Sequence, residues 1–373
     1  MSLNKLLSPV TIGSVAPENR VVMAPLTRNR AAQPGDVPGA MNVRYYEQRA
    51  GAGLIVTEGT QISRQGQGYF ATADIYTDEQ EAGWAEVVKT VHAKGGKMSL
   101  QLWHVGRVSH RLVQENMQVP VAPSAIRAEN TAVFVKHGDG SFGMVPADEP
   151  RALDAAELPV ILRQYVEAAK RARRAGFDMV EVHAANGYLL HQFLATGTNL
   201  RTDAYGGSVE KRARFVVEVV EAVAGVFGAD RVGVRVSPNV VAFGMSDSEA
   251  QASTLHLATH LERLGIAYIH IAEPDWVGGE ALSDDFRAEL RAIYGGKIIV
   301  AGNYTPETAE ERLEKGQADA IAFGRPFLAN PDLVERFRPG GPLNTPDAAT
   351  FFGGGEAGYT DYPTLDSALV SPE

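Results

Sequence analysis

Apolar runs of seven or eight residues, rich in β-branched side chains, alternate along the chain with longer stretches in which apolar positions recur every three or four residues. The first kind reads as strands at 20–26, 53–60, 97–104, 178–185, 231–238, 268–274, 297–303 and 320–326. The second reads as helices at 38–50, 78–95, 155–176, 209–228, 248–265, 284–294, 305–316 and 329–338, several of which stop at a glycine just past the last periodic residue. Repeated strand–helix units imply a parallel sheet, and eight of them imply closure into a barrel. The expected fold is α/β, a single (β/α)8 TIM barrel spanning 1–373, with an open doubly wound sheet as the alternative.

Two stretches interrupt the alternation. Residues 105–152 follow the third strand without a clear helix and carry the turn signals "VPVAPS" and "HGDGSFG", which predicts a loop and short-strand excursion at the barrel mouth. Residues 1–19, with "SPVTIGS", read as a hairpin capping the opposite end. The tail "GGGEAGYTDYPTL" has a GxGxxG-like spacing, but no strand precedes it and no helix follows, so it does not support a dinucleotide fold.

Composition narrows the function classes. A chain of 373 residues that is 45% hydrophobic can bury a large core, and 21% charged residues without low-complexity tracts weigh against disorder. The net charge of −10 argues against nucleic acid or an anionic membrane as the main partner, while leaving room for a local phosphate pocket. No apolar run approaches the roughly 18–20 residues of a membrane span, and "MSLNKLLSPVTIG" lacks the unbroken apolar stretch of a signal peptide, so the expected location is cytoplasmic. With no cysteine, disulfides, iron–sulfur clusters, thiolate zinc sites and cysteine nucleophiles are excluded.

In such a barrel the chemistry belongs at the C-terminal ends of the strands. Those ends carry Pro25, Leu26 and Thr27, then Gly59, then Gln101, Trp103 and His104, then His183 and Asn186. Arg235, Glu273, Trp276, Gly302, Asn303, Gly324 and Arg325 complete the ring. The last two loops, "VAGNYT" and "AFGRP", place glycines and an arginine where barrels hold phosphate; two ordinary tight turns are the plainer reading.

Seven motifs, "APLTR" (24–28), "TEGTQIS" (57–63), "QLWHVGR" (101–107), "HAANGYLLHQF" (183–193), "TDAYGGSVEKRARF" (202–215), "VRVSP" (234–238) and "AFGRPFLANPDL" (322–333), together resemble the old yellow enzyme family over nearly the whole chain. The resemblance implies an ene-reductase with non-covalent FMN, reduced by NADPH or NADH, that acts on electrophilic alkenes or nitro compounds. It implies that Gly302, Asn303, Gly324 and Arg325 take the FMN phosphate, that Pro25, Leu26, Thr27, Gly59 and Gln101 meet the flavin, and that Arg235 offsets its negative charge when reduced. It also implies a paired oxyanion site at His183 and Asn186, a proton donor at Tyr188, and a pocket lined by Tyr69, Trp103, Trp276 and Phe352. His191 and Gln192 are left to hold the following segment, and the histidines have no carboxylate pattern that would make a metal site. Many relatives carry histidine where this chain has Asn186, and often tyrosine where it has Phe352, which bears on substrate range. A barrel lyase or isomerase of a phosphorylated substrate, and a flavin-binding protein without catalysis, remain as alternatives, and the chain is expected to be a monomer or homodimer.

Overall fold

The computed structural model describes residues 3–275, 278–338 and 341–366. Eight parallel strands form the barrel: β1 Val21–Met23, β2 Leu54–Val56, β3 Met98–Trp103, β4 Met179–Ala184, β5 Val232–Val236, β6 Tyr268–Ala272, β7 Lys297–Ala301 and β8 Ala320–Phe323. The sheet closes because β1 pairs with both β8 (Val22 opposite Ala322) and β2, while β2 pairs in turn with β3 (Ile55 opposite Met98). That closure rules out the open doubly wound sheet.

Successive side chains alternate between the barrel interior and the helix layer. Ser99 of β3 reaches Tyr268 of β6 across the interior, hydroxyl to hydroxyl at 3.1 Å, and Gly233 of β5 makes way for the Tyr268 ring, since a Cβ there would lie 2.0 Å from it. At the N-terminal ends of the strands, Leu54, Met179, Tyr268 and Ala320 pack with Val10, Ile12 and Val15. Ile12 and Val15 bridge as the tight turn expected of a plug. Each such apolar side chain contributes about 1.5–3 kcal/mol on burial, so the plug is an integral part of the core.

The outer helices follow the periodicity. In the helix Asp78–Ala93, Trp84, Val87, Val88 and Val91 form the buried stripe, and Thr77 with Gln80 forms a reciprocal cap at its start. The helix Ala250–Leu264 ends at Gly265, whose φ of +70° is the left-handed stop that glycine takes without strain. Among the described residues no helix is long and apolar enough to cross a membrane.

Three departures have local causes. The expected strand 53–60 splits, because Leu54–Val56 pairs in the barrel whereas Thr60–Gln61 pairs higher on β3, and Glu58 between them turns to Tyr46 on the outer helix Ala40–Glu47. The expected helix 329–338 is two short helices, Arg325–Ala329 and Leu333–Phe337, because Pro331 forces Asn330 into an extended conformation. An unexpected helix, Leu189–Leu194, follows β4 with every residue buried. The excursion 105–152 carries the antiparallel pair Ala132–Lys136 and Phe142–Pro146. Its Val133 and Val135 pack in one cluster with Val105, Val108, Trp103 and Tyr188, so the excursion lies directly against the strand ends.

Candidate active site

At the end of β4 the chain makes a sharp turn, with Asn186 at φ +54° and Gly187 at φ +81°. The Asn186 N–H donates to Ser237 Oγ at 2.7 Å, and the Gly187 N–H donates to His191 Nδ1 at 2.9 Å. Gln192 donates to the carbonyls of Val105 and Gly187. His191 and Gln192 therefore hold the turn, and the side chains of His183, Asn186 and Tyr188 carry no part of that load.

The side chains of His183 and Tyr188 meet an aromatic enclosure. Trp103 and Tyr188 are edge to face with centroids 4.8 Å apart, His183 lies 5.3 Å from Tyr188, and Tyr69 stacks on Trp103 at 5.9 Å. The Tyr69 and Tyr188 hydroxyls are 3.3 Å apart. Phe243, on the loop after β5, closes the far side of Tyr188 at 5.6 Å. Burial holds His183 well below the imidazole range, with Arg235 adding to the effect, so the ring is neutral with its Nδ1 enclosed and unpartnered. Burial also lifts Tyr188 well above the usual phenol value and pushes Tyr69 up to about 12, so both hydroxyls keep their protons at neutral pH. Asn186 is half-buried, and its side-chain amide has no hydrogen-bond partner among the described residues.

Beneath this enclosure runs a polar layer inside the barrel. Gln101 Nε2 donates to Glu181 Oε1 at 2.7 Å, and His270 Nδ1 lies 2.8 Å from Glu181 Oε2. Arg235 pairs in register with His183 on the adjacent strand; it is buried and makes no side-chain hydrogen bond among the described residues, its Nε fully enclosed. An unpartnered buried guanidinium is costly unless something not made of protein accepts from it.

The remaining candidates divide. Pro25, Leu26 and Thr27 leave β1 half-buried at the mouth, and Gly324 packs against Leu26. Gly302 sits between Glu273 and Tyr304, whose hydroxyl donates to Glu273 at 2.8 Å, while Asn303 is exposed. Arg325 is already engaged, donating from one Nη to both oxygens of Asp275 at 2.6 and 2.9 Å. Gly59 has a reason within the protein, since a Cβ there would lie 2.4 Å from the Trp103 ring. Phe352 is 65% exposed and is not brought into the aromatic enclosure; Arg28 holds the backbone on either side of it, through Phe351 and Gly353. Trp276 lies outside the described residues. Sequence reasoning passed over Glu181, His270, Phe243 and Asp275; an acid and a histidine at inward-facing positions of apolar strands were the signal for the first two.

The family model described as NADH:flavin oxidoreductase / NADH oxidase matches residues 5–344. The solved structure of morphinone reductase is 55% identical, with 99% of each chain covered and a TM-score of 0.95, and that enzyme has also been solved in complex with tetrahydroNAD. The old yellow enzyme homologue from Zymomonas mobilis is 40% identical, covering 97% of this chain and 100% of that one, with a TM-score of 0.91. 12-oxophytodienoate reductase 2 of Arabidopsis thaliana is 40% identical over 366 residues, 97% of this chain and 96% of that protein. Fold and site together define a flavin-dependent oxidoreductase built on one parallel barrel. The chain belongs to the NADH:flavin oxidoreductase / NADH oxidase family, among the old yellow enzymes, and uses FMN with a nicotinamide hydride donor.

The residues present fit that cofactor. Among the described residues Arg235 is a buried cation without a hydrogen-bond acceptor, His183 Nδ1 on the adjacent strand is buried and unpartnered, and so is Nε1 of Trp103, whose ring lies 6.3 Å from that of His183. Such a set suits a ring system rich in acceptor atoms that becomes anionic on reduction.

Proposed function

We propose that the residues gathered at the strand ends divide the reduction of an activated C=C bond among them. The enzyme is an NAD(P)H-dependent FMN ene-reductase, and bound FMN supplies hydride transfer from the nicotinamide to the β-carbon of the alkene. Gln101, Thr27 and Arg235 would hold its polar edge, with Pro25, Leu26 and Gly59 around the ring. Gly302, Asn303, Gly324 and Arg325 would take the phosphate, Arg325 sharing itself with Asp275.

His183 and Asn186 donate to the carbonyl or nitro oxygen of the substrate, where negative charge develops as hydride arrives. Both can do so because a neutral imidazole keeps one N–H and an amide keeps two, and neither side chain is committed elsewhere among the described residues. Tyr188 then delivers its proton to the α-carbon, and Tyr69 orients the Tyr188 hydroxyl. Trp103, Tyr69, Phe243 and the excursion exclude water, with Trp276 as further lining. The carrying observation is the convergence of a neutral His183 and a protonated Tyr188, 5.3 Å apart, with a buried Arg235 paired to His183 on the adjacent strand. Enones, maleimides, nitroalkenes, nitrate esters and nitroaromatics are the substrate range this chemistry supports. The acidic, cysteine-free composition supports a cytoplasmic enzyme without a nucleic-acid partner, and the single closed barrel supports one domain, acting as a monomer or homodimer.

The test is anaerobic stopped-flow. Reduction by NADH or NADPH should be near parental in His183→Ala and Asn186→Ala, whereas reoxidation by 2-cyclohexenone should slow, roughly 10²–10³-fold for His183. Unchanged reoxidation in both variants would remove the paired-donor assignment.

A further inference from the structure

One buried acid has no part in the chemistry above. Glu181 lies in the middle of β4, fully enclosed, two residues before His183 and facing the barrel interior. Its two oxygens take one hydrogen bond each, from Gln101 at 2.7 Å and from His270 at 2.8 Å. A carboxylate only accepts, so both neighbours must present an N–H. His270 therefore carries its proton on Nδ1, and Gln101 turns its amide nitrogen toward Glu181 and its carbonyl away.

The charges follow from the same contacts. Burial by itself would raise the Glu181 carboxyl, but His270, Arg235 and Gln101 bring it below the usual glutamate range. Burial keeps His270 neutral. Glu181 is then the anion of this layer and Arg235 the cation; they lie on adjacent strands, Glu181 opposite Gly233 and Arg235 two residues further on the same interior face, and Glu181 is the leading group supporting the charge on Arg235.

We infer that Glu181 is a positioning residue for the flavin site: it fixes the Gln101 amide in one of its two orientations and partly offsets Arg235. This rests on the placement of Gln101 and Arg235 at the polar edge of the cofactor. A glutamine at position 181 could donate or accept on either side, so the Gln101 amide would lose its imposed orientation. Arg235 would lose its offset and stabilise the reduced, anionic ring more strongly.

The test compares Glu181→Gln with Arg235→Met in the FMN-loaded enzyme, reading the midpoint potential by dye equilibration and the FMN dissociation constant by flavin fluorescence. Glu181→Gln should shift the equilibrium toward reduced cofactor by roughly tenfold, which is about 30 mV for a two-electron couple, and should weaken FMN binding. Arg235→Met should shift it the opposite way. Opposite signs are diagnostic, because loosened packing would move both variants alike. A lowered potential in Arg235→Met with an unchanged or lowered one in Glu181→Gln overturns the role of Glu181 and leaves the cofactor assignment intact. No shift in either variant overturns the cofactor assignment itself. Glu181→Asp keeps the charge but shortens the reach to Gln101, and it is decisive on its own if the glutamine variant does not fold. Its potential should stay within threefold of the parental equilibrium while FMN binding weakens, and parental FMN affinity would overturn the positioning.

Discussion

Replacing Tyr188 by phenylalanine removes one oxygen from a closed site and separates proton delivery from hydride acceptance. The lost hydroxyl has a single partner among the described residues, Tyr69 at 3.3 Å, and the ring keeps its contacts with Trp103, His183 and Phe243. Leaving the Tyr69 hydroxyl unpaired costs on the order of 1 kcal/mol, so the variant should fold, with a thermal midpoint only a few degrees lower. The kinetic effect should be larger. Burial holds the Tyr188 proton well above pH 10, so the acid is fully loaded at neutral pH and its loss removes the whole general-acid contribution, about 10²–10⁴-fold when proton transfer limits. With 2-cyclohexenone the enolate must collect a proton at the α-carbon, and flavin reoxidation should slow within that range. With a nitroalkene the nitronate is stable enough to leave unprotonated, so reoxidation should be nearly parental while nitronate accumulates and is protonated slowly in solution. Absorbance traces of flavin and nitronate, followed together in stopped-flow, report both steps. Equal, large losses with both substrates would mean that the hydroxyl shapes the pocket, and the proton would have to come from elsewhere.

Two further outcomes test other parts of the argument. Arg325→Ala should release FMN more readily in ultrafiltration, whereas retention equal to the parent would remove Arg325 from the phosphate site and leave its pairing with Asp275 as its whole role. His104 is buried and its pKa is lowered to about 3, below the roughly 6.5 of the unfolded chain. Its contribution to stability is therefore present above pH 6.5 and lost as pH falls, because only the unfolded chain takes up the proton. Urea titrations between pH 6.5 and pH 4 should show the parent losing about 1.4 kcal/mol per pH unit more than His104→Asn, and identical slopes would contradict it.

What was legible in the sequence follows from what periodicity can encode. Eight apolar runs separated by helical stripes leave little choice but a parallel barrel, and a barrel concentrates chemistry at one end of its strands. Gln101, His183 and Arg235 were found by that rule, and they lie where it puts them, at or just below the mouth. The same rule is blind to the residues paired with two of them, Glu181 beside Gln101 and His270 beside Arg235. Glu181 and His270 sit inside "MVEVHA" and "YIHIA", where a polar residue reads as an outward position unless the register across the barrel is known. The pairing of Glu181 with Gly233 and of His270 with Arg235 supplies that register, and no single strand contains it.

Loops are opaque for a different reason. Phe243 and Asp275 lie on segments without repeat, so their approach to Tyr188 and Arg325 depends on chain paths that hydrophobic spacing does not record. Gly59 shows how a correct position can carry a second cause. The strand-end rule and the family resemblance put it beside the cofactor, yet the nearest obstacle to a side chain there is the Trp103 ring at 2.4 Å. Trp103 in turn braces Tyr188 at 4.8 Å, so a Cβ at position 59 would press through the indole onto the proposed proton donor without touching substrate. The glycine thus serves the chemistry by letting an aromatic wall stand close, and substitutions there should be read through Tyr188 before they are read through FMN.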